Sequence, residues 1–346
     1  MDRSLVEFYR KFKQQIDPPN VPSGAVLKNP DVQLALERHF FNVAAEDLSA
    51  YQAKILRTVV ERIQTAITDP EEEEVSDHLM TLLATLPPSR TQLDLSKTLV
   101  SYFPPVSYDE DVQPINILEA KKIIGSGPNT GLRTWEASLR LAHYLYQKPH
   151  LTRSRSVLEV GAGTGFLSIF CAAYLCPARI VVTDGHDDVI TSLRHNVALN
   201  KSSYDAANTR APLVKKLFWA DEDDMNAILN SQDDVEGELS PSSKIDLIIG
   251  ADVTYHPDAC LALASTLSVL AQRNPDATIL ISATQRNLET MEVFLDACRK
   301  TLSVEEVTDT EFKPLPFDRQ TGCFHNVVSP IRIWRLRATT PPVQVE

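Results

Sequence analysis

Apolar residues recur at helical spacing along the first hundred positions of the chain. Leu5, Phe8, Phe12 and Ile16 lie three or four residues apart, and a second apolar series runs from residue 48 to residue 67 behind a candidate N-cap at Asp47. Such spacing places the apolar side chains on one face of a helix. An acidic run at 71–74 predicts a solvated loop or the first turn of a helix, and a third apolar series follows it. We therefore predict a helical N-terminal region over residues 1–110.

The pattern changes near residue 113 to alternating strand-like and helix-like segments. Strands are predicted at 156–161, 179–183, 213–219, 245–250 and 277–283, and helices at 134–146, 165–175, 187–199, 258–272 and 287–301. This alternation predicts parallel strands joined by right-handed crossovers. Two last strands, near 303–312 and 327–336, have no helix between them and are expected to pair antiparallel. Loops are predicted at 202–212 and 231–243, and a turn at 125–131. These elements form a second domain over residues 111–338. A disordered tail is predicted at 339–346.

The most specific motif lies where the first of these strands meets its helix. Gly161, Gly163 and Gly165 follow Glu159 and Val160 with the spacing GxGxG. Glycine lets the backbone turn tightly and lets a ligand approach it without a Cβ in the way. The dinucleotide-binding fingerprint is GxGxxG instead, so the spacing disfavours a nicotinamide-dependent oxidoreductase.

Two carboxylates accompany this glycine loop. Glu159 stands two residues before the first glycine, within expected reach of the crevice, where an anion disfavours a pyrophosphate and favours a cationic ligand such as a sulfonium. Asp184 ends the next predicted strand, where a carboxylate can accept hydrogen bonds from both ribose hydroxyls of an adenosine. Together these features predict a pocket for S-adenosylmethionine, with S-adenosylhomocysteine as the product.

At this point the chain resembles the class I, seven-strand S-adenosylmethionine-dependent methyltransferases. The resemblance implies an α/β fold, a Rossmann-like parallel sheet whose last strand is antiparallel. The sequence Ala251-Asp252-Val253-Thr254-Tyr255 follows the strand at 245–250. In that position it resembles the DxxY motif of the family 16 protein methyltransferases, which mostly modify lysine. This implies that Asp252 and Tyr255 are catalytic and that Ala251 borders the cofactor.

Further segments resemble the same family. The segment 131–137, with Trp135, is similar to the stretch that lies over the cofactor, and Trp219 occupies the place of a tryptophan beside the adenine. Both residues, Ala162 and the three loop glycines are therefore expected to contact the cofactor, although aromatic side chains in general are more often core residues. Relatives often carry a carboxylate before the second tryptophan, and it could reach the adenine amino group. This chain has Phe218 at that position, so Asp221 or a backbone carbonyl would have to accept the hydrogen bond from the amino group instead.

The chain as a whole is most similar to the elongation factor 2 lysine methyltransferase subfamily, which implies that factor as substrate and partner. A lysine amine, with a pKa near 10.4, must lose a proton before it attacks the sulfonium methyl group. We expect Asp252 to accept a hydrogen bond from the amine and to orient its lone pair, with Tyr255 forming a wall of the site. The N-terminal helices are expected either to recognise the protein substrate or only to cover one side of the catalytic domain.

Composition restricts the partners. Lys and Arg number 34 against 46 Asp and Glu, and this formal charge of −12 argues against direct nucleic-acid binding. No apolar run approaches the ~18 residues of a membrane span, so no membrane partner is expected. The five cysteines show no CxxC spacing and the histidines form no cluster, so we expect no metal site and a reducing compartment. We predict a cytoplasmic monomer, with the nucleus as the alternative location.

Other functions remain open at this level. The same fold could methylate another protein, a nucleic acid or a small molecule, because fold does not determine substrate. The sequence after the fourth strand, Asp252-Val253-Thr254-Tyr255, is not the Asn/Asp-Pro-Pro-aromatic sequence that is typical of nucleic-acid amino methylation. A non-catalytic cofactor-binding partner of the translation machinery is disfavoured because the glycine loop, Asp184 and the DxxY motif are all present.

Overall fold

Nine strands and twelve α-helices lie in the parts of the chain that the structure, a computed structural model, describes: residues 2–87, 97–120, 131–229, 244–326 and 328–339. The strands are β1 (Thr98–Tyr102), β2 (Ile115–Glu119), β3 (Ser156–Glu159), β4 (Arg179–Asp184), β5 (Leu213–Lys216), β6 (Leu247–Ala251), β7 (Thr278–Thr284), β8 (Leu302–Glu306) and β9 (Ile331–Ala338). The helices are α1 (Arg3–Lys13), α2 (Gly24–Leu27), α3 (Pro30–His39), α4 (Ala50–Ala66), α5 (Asp77–Ala84), α6 (Glu136–Gln147), α7 (Phe166–Tyr174), α8 (Asp187–Leu199), α9 (Lys201–Ala207), α10 (Glu222–Leu229), α11 (Pro257–Arg273) and α12 (Leu288–Arg299). Within these ranges, no helix combines the length and the apolar character needed to cross a membrane.

Seven of the strands form one sheet in the order β5-β4-β3-β6-β7-β9-β8. Strands β3 to β7 run parallel, and β9 runs antiparallel to both β7 and β8. The predicted α/β class, with a parallel sheet and an antiparallel last strand, is therefore confirmed. The sheet order reverses between β3 and β6, and ligands of open α/β sheets bind at the carboxyl ends of the strands at such a point.

Both faces of the sheet are covered by helices, because the strands are apolar on both sides. Successive residues of β6 show this: Leu247 and Ile249 belong to one buried cluster, with α6 and α7, whereas Ile248 belongs to another, with α11 and α12. Parallel strands with a helix layer on each face read as nearly continuous apolar runs, and the predicted strands have that character.

The N-terminal helices α1 to α5 have a hydrophobic cluster of their own. Helix α1 also contacts the segment between β8 and β9: the Gln14 amide donates to the Phe324 carbonyl and accepts from its N–H at 2.8 Å. The buried Arg10 guanidinium donates to four backbone carbonyls, among them Thr321 at 2.9 Å and Val106 at 3.0 Å. These hydrogen bonds fasten the N-terminal helices to the loops beside the seven-stranded sheet.

Several boundaries differ from the sequence-based expectations. Strand β1 lies inside the region expected to be helical, and it pairs antiparallel with β2 as a separate two-stranded sheet. The expected loop at 202–212 begins with helix α9, because the Tyr204 side chain is buried there. Helix α4 is capped by Ser49 in a capping box, not by Asp47. The strand expected at 213–219 ends at Lys216, and the one expected at 303–312 ends at Glu306.

Three expectations fall mainly on residues that the structure does not describe, and a fourth falls on one such residue. The loop at 231–243 lies wholly outside the described residues. The turn at 125–131 lies outside them except for Gly131, and the tail at 339–346 except for Thr339. The first residue of the last predicted strand, Val327, lies outside them as well.

Candidate active site

The glycine loop links β3 to α7 and has the backbone conformation that its sequence requires. Gly161, Gly163 and Gly165 have φ angles of +65°, +57° and +79°, a region that other L-residues rarely adopt. A Cβ at position 161 would lie 2.7 Å from the Val253 side chain and 2.9 Å from the Trp219 ring. The loop is therefore packed against the very segments in which the sequence predicts cofactor and catalytic residues. Ala162, inside the loop, donates its N–H to the Thr183 carbonyl on β4 at 2.9 Å.

The segment that carries Trp135 lies against the same loop. A Cβ at Gly163 would lie 2.9 Å from the Gly131 carbonyl oxygen, so the two backbones approach closely. The hydroxyls of Thr134 and Thr164 are 2.9 Å apart and share a hydrogen bond. Trp135 itself occupies the N-cap position of α6. The segment thus lies against the glycine loop, and its expected place over the cofactor, with the contact of Trp135, stays a prediction.

Glu159 is more deeply placed than the sequence suggests. The residue is 2% exposed, and its carboxylate accepts the Ser168 N–H at 3.0 Å, one of the amide groups that the first turn of α7 leaves unpaired. Burial raises the pKa of Glu159 to about 8, against the opposing effect of this hydrogen bond. Glu159 is therefore enclosed and caps α7 in this structure, and its contact with the cofactor stays a prediction.

Asp184 ends β4 beside the glycine loop, as expected. Its two carboxylate oxygens accept N–H groups from Gly163 at 3.0 Å and from His186 at 3.3 Å. Burial raises the pKa of Asp184, and these two backbone hydrogen bonds oppose the rise. Because each carboxylate oxygen can accept a further hydrogen bond, the residue keeps acceptor capacity for the hydroxyls of a ribose.

The aromatic pair after β5 divides into an exposed and a partly buried ring. The Phe218 ring is 53% exposed and lies against Gly185, directly after Asp184, whereas the Trp219 ring packs toward Gly161. Asp221 accepts the Asp224 N–H at 2.9 Å, so its carboxylate is engaged in the first turn of α10. The other oxygen of Asp221 keeps its acceptor capacity, and a contact of this carboxylate with the adenine stays a prediction.

Asp252 follows β6 in a left-handed backbone conformation, with φ +54°. Its side chain is 6% exposed. The carboxylate accepts the Thr284 N–H at 2.9 Å and the Thr284 hydroxyl at 3.2 Å, and it forms an ion pair with Arg286 at 3.2 Å. Burial raises the pKa of Asp252, and Arg286 and Thr284 oppose that effect. A buried carboxylate with a positive φ angle, held by three hydrogen bonds at the carboxyl end of a central strand, is characteristic of a functional site.

Two arginines that the sequence did not single out complete this part of the site. The Cζ atoms of Arg286 and Arg133 lie 4.9 Å and 4.6 Å from the centre of the Trp135 ring. Arg133 is paired with Glu136 at 3.2 Å, as Arg286 is with Asp252. Arg286 follows the end of β7, the neighbour of β6 in the sheet. Because ligands bind at the carboxyl ends of such strands, this position in the sequence could have indicated that Arg286 lies at the site.

Tyr255 lies at the open side of the site. It is 58% exposed, and its neighbour His256 is exposed as well. Tyr255 therefore has the accessibility that contact with a macromolecular substrate requires, and its role as a wall of the site stays a prediction. A separate cavity of about 430 Å³ opens among Ser156, Arg179 and Arg273, at the amino ends of the strands, and lies away from all of these residues.

Comparisons with known proteins agree with this architecture. A family model of lysine methyltransferases, methyltransferase family 16, matches residues 114–301. Protein-lysine N-methyltransferase EFM3 of Chaetomium thermophilum is 32% identical over 95% of this chain and 95% of its own length. EFM3 of Saccharomyces cerevisiae is 30% identical over 79% of this chain and 78% of its own, and human protein-lysine N-methyltransferase EEF2KMT is 33% identical over 52% and 53%.

The chain is also similar to solved structures of methyltransferases, at low sequence identity. One is a putative methyltransferase of Streptococcus mutans in complex with S-adenosylhomocysteine; it is 11% identical, covers 58% of this chain and 98% of its own, and has a TM-score of 0.36. The family match covers more than half of the chain and includes the glycine loop, Asp184 and Asp252. This chain therefore belongs to the family 16 lysine methyltransferases, enzymes that transfer methyl groups from S-adenosylmethionine to lysine side chains of proteins.

Proposed function

We propose that this protein methylates a lysine of elongation factor 2, with the cofactor held over the glycine loop and Asp252 at the reaction centre. The observation that supports the substrate is the extent of the similarity. The match to the Chaetomium protein covers 95% of both chains, so it includes the N-terminal helices as well as the methyltransferase sheet. Relatives named EEF2KMT, in human and mouse, carry a name that denotes an elongation factor 2 lysine methyltransferase.

The residues at the carboxyl edge of the sheet fit S-adenosylmethionine. The three glycines hold the positive φ angles that the tight turn of the loop needs, and Asp184 keeps acceptor capacity for ribose hydroxyls. Phe218 presents an exposed ring for the adenine, and a backbone carbonyl would take the place of the carboxylate that relatives use. We assign cofactor contacts to Gly161, Ala162, Gly163, Gly165, Asp184, Trp135, Trp219 and Ala251. Glu159 contributes from beneath by fixing the first turn of α7.

When bound, S-adenosylmethionine supplies an electrophilic methyl group on a sulfonium. The protein must bring a neutral lysine amine into line with it and keep water away. Asp252 accepts a hydrogen bond from the amine and so orients the lone pair. Because Asp252 is ion-paired with Arg286, it is a weak base, and the amine loses its proton to water before it enters.

The positive charges near Trp135 favour binding of the lysine in its neutral form. Arg133 and Arg286 lie on the ring of Trp135, and a nearby positive charge favours the neutral form of an amine. Asp252 and Glu136 balance these charges, so the site does not hold a lysine ammonium strongly. Tyr255, exposed beside Asp252, borders the path by which the lysine side chain arrives.

The N-terminal helices belong to the substrate-binding side of this proposal. The whole protein acts as a monomer in the cytoplasm, where elongation factor 2 functions. The docking of α1 through Arg10 and Gln14 holds these helices in a constant position relative to the sheet. Such a fixed arrangement suits recognition of a folded protein better than recognition of a short peptide.

The decisive experiment uses radiolabelled S-adenosylmethionine and a cytosolic extract from cells that lack this protein. The expected result is one labelled band at the size of elongation factor 2, with one methylated lysine found by mass spectrometry. Asp252→Asn should abolish the band, whereas Asp258→Asn, a matched change at an exposed position six residues away, should not. Label in a different protein, or in RNA, would exclude elongation factor 2 as the substrate.

A further inference from the structure

The two oxygens of one buried carboxylate connect two separate parts of the chain. Glu119, the last residue of β2, is 1% exposed. One oxygen accepts the hydroxyl of Tyr102 on β1 at 2.8 Å, and the other accepts the backbone N–H of Thr134 at 2.7 Å. The two-stranded sheet β1–β2 is thereby joined to the segment that carries Trp135.

From Thr134 the connection continues to the glycine loop. The Thr134 hydroxyl shares a hydrogen bond with the Thr164 hydroxyl at 2.9 Å, and both residues are buried. A second link runs in parallel, since the Ala120 N–H donates to the Leu132 carbonyl at 2.9 Å. The close approach of Gly131 to Gly163 tolerates little displacement of this segment, because a neighbouring backbone oxygen cannot rotate away.

We infer that Glu119 is a positioning residue of the cofactor site, which fixes the segment 131–135 and the Trp135 ring against the glycine loop. The inference rests on the proposed function, in which that loop and Trp135 hold S-adenosylmethionine. Glu119 does not itself touch the cofactor. It acts through Thr134, and Tyr102 holds the carboxylate in place from the other side.

A carboxylate is the side chain that this place requires. Both of its oxygens are acceptors, and both partners, a phenol hydroxyl and a backbone amide, are donors. A glutamine has the same shape but only one acceptor oxygen, so one of the two donors would face an NH₂ group. In a buried place an unpaired donor is costly, and the segment would shift to find another partner.

The chain offers a matched control on the same two strands. The Ser101 hydroxyl, on β1, donates to the Asn116 side chain on β2 at 2.7 Å. Tyr102→Phe and Ser101→Ala each remove one hydroxyl hydrogen bond between β1 and β2, but only the first belongs to the connection that reaches Thr134. Tyr102→Phe also keeps the carboxylate, so it tests the inference even where Glu119→Gln fails to fold.

The experiment measures the Kd of S-adenosylhomocysteine by calorimetry, the unfolding temperature, and kcat and KM at varied S-adenosylmethionine. For Glu119→Gln we expect a rise in Kd and in KM for the cofactor of about tenfold, with kcat at saturating cofactor within about twofold of wild type. For Tyr102→Phe we expect a rise of about threefold in the same Kd and KM. For Ser101→Ala we expect no rise in either, although its unfolding temperature should fall about as much as that of Tyr102→Phe.

Two results would overturn the inference. One is wild-type affinity for S-adenosylhomocysteine in folded Glu119→Gln and Tyr102→Phe proteins. The other is an equal loss of affinity in Ser101→Ala, which would show that any weakening of the β1–β2 sheet has this effect. Failure of the wild-type protein itself to bind S-adenosylhomocysteine would instead reject the cofactor site proposed above.

Discussion

The guanidinium of Arg286 forms an ion pair with the carboxylate of Asp252 at 3.2 Å while its Cζ atom lies 4.9 Å from the centre of the Trp135 ring. One side chain thus joins the end of β6, the end of β7 and the start of α6. Asp252 is anchored twice more by Thr284, so its position does not depend on Arg286 alone. Arg286 instead governs the charge of Asp252, and this division of roles makes the two residues separable by mutation.

Replacement of Asp252 by asparagine should lower kcat at least about tenfold and leave the affinity for S-adenosylhomocysteine unchanged. Asparagine keeps the size of the side chain and tolerates the positive φ of this position, so the fold should be retained. The change removes the negative charge that, in the proposed function, faces the lysine amine. Measurements of kcat and of the Kd of S-adenosylhomocysteine, with Asp258→Asn as the exposed control, would check this; wild-type turnover in folded Asp252→Asn would contradict the assignment of Asp252.

Replacement of Arg286 by glutamine should move the acidic limb of the pH–activity profile to higher pH. Burial raises the pKa of Asp252, and Arg286 is the cation that opposes this rise. Without it the carboxyl holds its proton to a higher pH, and activity that needs the ionised form is lost there. The measurement is kcat/KM between about pH 6 and pH 9.

Arg133→Gln is the matched control for that experiment. Arg133 lies on the same Trp135 ring, but its ion pair is with Glu136 and not with Asp252. Its acidic limb should stay within a few tenths of a pH unit of wild type. Equal shifts in the two variants would mean that the arginines act through Trp135 and not through the charge of Asp252.

Alanine at Gly163 should weaken the binding of S-adenosylhomocysteine at least about tenfold, because a left-handed conformation costs a residue with a Cβ ~1–2 kcal/mol. The new Cβ would also lie 2.9 Å from the Gly131 carbonyl oxygen. In the control Gly131→Ala the Cβ would lie 3.0 Å and 3.1 Å from methyl groups of Val189 and at an ordinary contact distance of 3.6 Å from the Gly163 Cα, and φ is not positive. Calorimetric titration of both variants with S-adenosylhomocysteine should show the larger loss of affinity for Gly163→Ala. Equal losses would contradict the assignment of the glycine loop as a binding site for the cofactor.

The buried Glu159 should make the free energy of unfolding fall as the pH rises. Its pKa is about 8 in the folded protein and about 4.5 when unfolded, so the folded protein binds this proton more tightly. The contribution is complete below pH ~4.5 and is lost as the pH rises through about 8. In Glu159→Gln this loss is absent, so its stability relative to wild type should increase over that window. Urea unfolding at several pH values tests this, with the exposed Glu222→Gln as control; parallel curves for Glu159→Gln and wild type would contradict it.

Arg10→Met should reduce the free energy of unfolding by about 3 kcal/mol, since it leaves buried backbone carbonyls without a donor. The comparison is Arg3→Met, an exposed arginine on the same helix, for which little change is expected. Denaturant unfolding measures the free energy of unfolding of both variants. Unchanged stability of Arg10→Met would show that the hydrogen bonds of the guanidinium do not stabilise the fold.

By the same reasoning a chain that starts near residue 111 should lose solubility, because the contacts of α1 would be missing. Substrate recognition by the N-terminal helices is therefore better tested with surface substitutions.

The carboxyl edge of the sheet shows what can be predicted from sequence. Local patterns identified the glycine loop, the position of Asp184 at a strand end and the Asp252–Tyr255 motif, because each depends on neighbours within a few residues. The alternation of strands and helices also predicted the parallel sheet and its antiparallel last strand. Short polar segments were less predictable: α9 is helical because Tyr204 is buried, which the residues around it do not reveal.

The sequence by itself therefore determined the fold class, the cofactor loop and the candidate catalytic pair, since these rest on spacing and on the chemistry of single residues. Only the tertiary structure decided that Arg286 meets Asp252 and Trp135, that Glu119 meets Tyr102 and Thr134, and that Glu159 is enclosed and caps α7. The physical reason is that burial and charge pairing depend on which distant segments the register of the sheet and the packing of the helices bring together.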